Sequence, residues 1–248
     1  MSAEKAGEMS IDAGHPSAVG AQPRCIACSQ ARRGHGVTVS VYYLARALAE
    51  RGLRVLVADL TGRRARLQWL GAREPTRGLT LWSPHIPAPE HLREALARAR
   101  EQAAGKVDVI LLDADGSYLQ AAGGAAAGID YTLIFIEQGE MGMREADHLA
   151  RLLDETPPPQ GLVAAVLTRV PAEHIEDLPQ RTPEYGLPIL GELPADYLLA
   201  AGDEYSMTNE EPRAPHDTYM SAMARLARAL IPIAGISATS HPSQRTGQ

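Results

Sequence analysis

A chain of 248 residues, 45% apolar and 22% charged, has globular composition and enough length to bury a substantial core. Its net charge of -6 disfavours a protein that coats nucleic acid, and two cysteines are too few for a disulfide framework. No apolar run reaches the roughly 18 residues that span a bilayer, so direct membrane insertion is not expected, and a reducing cytoplasm is the expected setting.

Residues 1–22 are polar and rich in Gly, Ala and Ser, and carry Glu4, Glu8 and Asp12; they are expected to form a disordered leader and not a signal peptide. Cys25-Ile26-Ala27-Cys28 is a short apolar run, followed by a loop from Ser29 to Gly36. Thr38 to Arg51 reads as a helix with Val41, Leu44, Ala45 and Leu48 on one face and Gly52 closing it. Arg54 to Asp59 is a second buried strand, ending in a carboxylate. Helices are expected at 90–104 and 143–155, and strands at 107–113, 131–136, 162–167 and 188–191. The stretch 121–128 reads as a weak helix and its end, and a closing helix is expected at 216–230. Continuously apolar strands alternating with helices indicate a doubly wound, mostly parallel α/β sheet covered on both faces. The expected organisation is a leader (1–22), one domain (23–232) and a flexible tail (233–248).

Ligands of such sheets bind at the carboxyl ends of the strands, and the first strand–loop–helix is where phosphates sit. Arg32-Arg33-Gly34-His35-Gly36-Val37-Thr38 occupies that place. The alternative for Gly34 and Gly36 is a tight strand–helix turn with no ligand.

The segment Pro23 to Leu67 contains Ala31-Arg32-Arg33-Gly34-His35-Gly36-Val37-Thr38, the helix Leu44 to Gly52, and Asp59-Leu60-Thr61-Gly62-Arg63-Arg64-Ala65-Arg66-Leu67. It resembles the deviant Walker P-loop ATPases of the ParA/MinD class, and within them the CpsD/CapB-type tyrosine autokinase domains that regulate capsular and exopolysaccharide export. Downstream, Asp108 to Asp113 resembles the Walker B strand of that class, and Leu187 to Pro194 its penultimate strand. The resemblance implies a P-loop NTPase-like fold and binding of ATP or ADP with Mg²⁺. The nucleotide would be held by Arg32, Arg33, Gly34, His35, Gly36, Val37, Thr38 and Thr168, with Thr38, Asp59 and Asp113 around the metal. Asp59 and Asp113 are the catalytic candidates.

The departures from that pattern decide the functional expectation. Val37 stands where the class carries its phosphate-binding lysine, and an isopropyl group cannot serve as a point charge. Of the 24 basic residues only Lys5 and Lys106 are lysines, one in the leader and one preceding a strand at the opposite edge of the sheet. Arg32 falls where the class places its extra signature lysine, but a guanidinium is not equivalent in a tight cradle. Thr61 replaces the second acid of the D-x-D pair, Asp115-Gly116 replaces the Pro pair after the Walker B aspartate, and Thr168 replaces the adenine-contacting Asn. No tyrosine follows Tyr219, so the tyrosine-rich tail of the autokinases is missing.

Cys25 and Cys28 lie three apart within a strand, on opposite faces, and are expected to be buried and inert. Tyr42 and Tyr43 are expected to be packing residues. Arg63, Arg64, Arg66 and Trp69, with Trp82 nearby, form the candidate protein interface. Two readings remain. One is a degenerate pseudo-ATPase acting as a protein-binding or regulatory module, in a membrane-associated polysaccharide complex or as a homo-oligomer. The other is an atypical active ATPase of the partition, positioning or autokinase kind, with Arg32 or a partner supplying the lost cation.

Overall fold

The computed structural model describes residues 22–30, 36–61, 64–73, 75–84, 86, 88–123, 128–137, 140–154, 162–170, 187–195 and 217–236. Side chains are not described at 64–66, 69, 73, 141 and 152–154. The expected leader up to residue 21 and the expected tail beyond 236 lie outside these residues.

The continuously apolar runs form the centre of a seven-stranded sheet in the order β3-β2-β4-β1-β5-β6-β7, every pairing parallel. The strands are β1 (Arg24–Gln30), β2 (Val55–Asp59), β3 (Leu79–Trp82), β4 (Val109–Asp113), β5 (Tyr131–Glu137), β6 (Leu162–Val170) and β7 (Ile189–Pro194). The helices are α1 (Val37–Ala49), α2 (Arg64–Arg73), α3 (Leu92–Ala103, preceded by a 3-10 turn at Pro89–His91), α4 (Gly116–Ala121), α5 (Glu140–Asp154) and α6 (Asp217–Ile233). Alternation along the strands sends Ile26, Val57, Leu111 and Phe135 into one core with α1, α2 and α6. Ala27, Leu56, Ile110 and Ile134 enter a second core with α3, α4 and α5. The architecture is the expected doubly wound α/β sheet.

Two elements escape the sequence reading, which places none between Leu60 and Glu90. In α2 only Leu67 and Leu70 are buried among the described side chains, too short a run to show a 3.6-residue period. Edge strand β3 is four residues long and half-buried throughout, so it lacks the apolar run of a central strand. Gly71 lets α2 close on this edge, since a Cβ there would lie 2.5 Å from Leu81 Cδ1.

Two boundaries are corrected. Of the weak helix and its end expected at 121–128, residues 124–127 lie outside the described residues; the described helix, α4, starts upstream and ends at Ala121, and Asp115 fixes its start by accepting hydrogen bonds from the backbone N–H (3.1 Å) and hydroxyl (2.8 Å) of Ser117. The tail expected from Ile233 is still packed there. Gly235 (φ +59) donates to Pro232 O and Ile236 to Ile231 O, a Schellman cap that buries Ala234 and Ile236 in the α1/α6 core.

At the amino edge of the sheet, carboxylates satisfy strand-start amides. Asp130 Oδ2 accepts from the Cys25 N–H (2.7 Å) and is paired with Arg100. Asp108 Oδ2 accepts from the Arg54 N–H (2.8 Å), while Arg54 Nε and Nη2 grip both carboxylate oxygens of Asp108 at 3.1 and 2.7 Å. Both partners of this pair are less than a fifth exposed. Asp108→Ala therefore strands a buried guanidinium and amide, and urea denaturation should show a loss of about 2 kcal/mol.

Cys25 and Cys28 are buried free thiols on opposite faces, one in each core. Burial pushes the Cys25 thiol up to about 12, and burial followed by the charge of Asp113 raises that of Cys28 well above its ordinary value. Almost no thiolate exists at pH 8. Ellman's reagent should label neither cysteine in the native protein and both in denaturant; fast native labelling would contradict the burial.

Candidate functional site

The carboxyl ends of β2, β4 and β1 lie side by side in the sheet, and α1 is the next element after β1 in the chain. Gly36 immediately precedes the helix in the left-handed region (φ +73, ψ +22), a conformation an L side chain rarely adopts, and its carbonyl accepts from Ser40 N (3.0 Å). No side chain caps this end. Val37, the first residue of α1, is 3% exposed and belongs to the core shared by α1 and α6, while Thr38 is half-buried.

Asp59 and Asp113 are register partners at the ends of adjacent strands, and Cys28 is the partner of Asp113 on the other side. Equal register places the two carboxylates on one face of the sheet, one strand spacing apart. Both are almost fully buried. Asp59 Oδ1 accepts from the Thr61 N–H (2.9 Å) and hydroxyl (2.7 Å), so Thr61 holds this oxygen in place. Asp59 Oδ2 is buried and has no hydrogen-bond partner among the described residues. A buried carboxylate oxygen without a donor is costly unless it meets a cation or a proton.

After β4, Asp115 serves as the cap of α4. A Cβ on Gly116 would lie 2.9 Å from Gln30 O, so glycine is what lets α4 descend over the end of β1. Thr168, near the end of β6, is 4% exposed and donates its hydroxyl to Ile136 O (3.1 Å). The next residue, Arg169, has φ +58, and its Nη1 lies 3.5 Å from Glu137 Oε2 at the end of β5. Neither Arg169 nor Glu137 was singled out by the sequence, since no Gly or Asn marks the left-handed position.

The structure thus brings Gly36, Val37 and Thr38 to the carboxyl edge that also carries Asp59 and Asp113, and sets Thr168 at the same edge two strands from β1. Arg32, Arg33, Gly34, His35 and Arg63 lie outside the described residues. Arg64, Arg66 and Trp69 fall on α2, but their side chains are outside the description. Trp82 is half-buried at the end of β3 and packs against the α3/α4/α5 core.

As a test of fit to Mg²⁺ and nucleotide, the acidic half suits a hard cation: an orphaned carboxylate oxygen beside a second buried carboxylate is an oxygen-donor set. No group of three or more His, Cys, Asp or Glu suited to a metal occurs among the described residues, so such a cation would complete its shell from water or a ligand. Of the expected phosphate-binding loop only residues 36–38 are described. At residue 37 the helix offers buried aliphatic surface and no charge.

No protein-family model matches the chain, and no curated protein matches it. Solved structures do. The MinC:MinD cell division complex of Aquifex aeolicus aligns with 84% of this chain and 96% of its own at 19% identity, with a TM-score of 0.61. A ParA family ATPase from Chlorobium tepidum aligns with 83% of this chain and 98% of its own at 16% identity (TM-score 0.58). A putative plasmid partition protein of Borrelia burgdorferi bound to AMPPNP aligns with 85% and 99% at 13% identity (TM-score 0.60). No helix among the described residues is long and apolar enough to cross a membrane. At these identities the likeness is one of architecture: the chain has the α/β fold of MinD- and ParA-type P-loop ATPases.

Proposed function

We propose that the chain is a degenerate ParA/MinD-like pseudo-ATPase, a protein-binding or regulatory module that does not hydrolyse ATP at a useful rate. One observation carries this reading. Residue 37 is a valine packed in the core at 3% exposure, at the place where phosphoryl transfer in this fold calls for a mobile cation. The loss of the second acid agrees with it: Thr61 is tied to Asp59 and holds no charge of its own. The MinD structure that this chain resembles is in complex with MinC, which supports a protein partner as the working ligand of the fold. The resemblance of Asp59 to Leu67 to the autokinases supports a cytoplasmic role in a polysaccharide synthesis or export complex, with any membrane attachment made through that partner.

A second reading has its own observation. Asp59 and Asp113 persist side by side, and the free oxygen of Asp59 suits a water-bridged Mg²⁺. The partition protein bound to AMPPNP holds its nucleotide on the same architecture, which supports retained binding of ATP or ADP. A phosphate-release assay with Mg-ATP separates the two readings. The expected result is no turnover above the buffer rate. Mg²⁺-dependent hydrolysis that disappears in Asp113→Ala would replace the pseudo-ATPase with an atypical ATPase.

A further inference from the structure

We draw no further inference here: the strongest candidate, the pair of buried carboxylates at the ends of β2 and β4, whose Asp59 Oδ2 has no donor among the described residues, belongs to the site already described.

Discussion

Val37→Lys should destabilise the ligand-free protein by about 3 kcal/mol and bring no gain in nucleotide affinity. The wild-type side chain is 3% exposed in a core that also holds Val41, Leu44 and Met223. A lysine on that vector must bury an ammonium, lose its proton, or pull the first turn of α1 away from the sheet. The position adds a further penalty, because the amino end of a helix carries positive potential. The pH dependence follows from the first two options. A buried lysine titrates below its ordinary pKa of roughly 10.4, so the unfolded chain binds more protons than the folded one below that pH. The deficit should therefore grow as pH falls from about 10 toward 7 and shrink again at high pH. Urea midpoints at pH 7 and pH 9.5, together with titration of Mg-ATP, measure both halves. A variant as stable as wild type that binds ATP ten-fold tighter would place residue 37 against ligand space, and the assignment of its side chain to the core would fail.

This prediction also marks where the sequence stops informing. That residue 37 is valine is plain from the chain, but that its side chain belongs to the α1/α6 core appears only once the helix is docked. The same division holds for the fold. Strands β1, β2, β4 and β5 are buried on both faces, so their apolar runs announce themselves without alternation. The edge strand β3 and the short α2 lie where burial is partial, and partial burial leaves no run to read. At the site, Asp59 and Asp113 were legible because a carboxylate ending an apolar strand is conspicuous. Their register pairing, the capture of Asp59 by Thr61 and the orphaned Oδ2 are tertiary facts. The left-handed backbone at Arg169 was not legible at all, since an arginine does not advertise that angle.

Tyr43→Ala should remove about 4 kcal/mol, the largest single loss expected on this side of the sheet. Tyr43 is 1% exposed and stands edge-on between two other tyrosines, Tyr42 at 5.4 Å and Tyr219 at 6.1 Å between ring centroids. Tyr42 donates its hydroxyl to Leu70 O on α2, and the hydroxyls of Tyr219 and Ser40 lie 3.0 Å apart across α6 and α1. The three rings thus join α2, α1 and α6, and the alanine leaves a cavity at their middle. Urea unfolding should show a lower midpoint with an unchanged slope. Tyr219→Phe, which leaves the ring and removes the bond to Ser40, should cost only about 1 kcal/mol. Its effect should not add to that of Tyr43→Ala, because the two rings touch. The same burial bears on chemistry. All three side chains are buried, at 5% exposure or less, so a phosphoryl donor cannot reach them in the folded state. Incubation with Mg-ATP followed by phosphotyrosine mass spectrometry should find none of the three modified. Phosphate on Tyr219 in native protein would mean that α6 leaves α1, and the chain would then have to be considered an autokinase acting on its own helix.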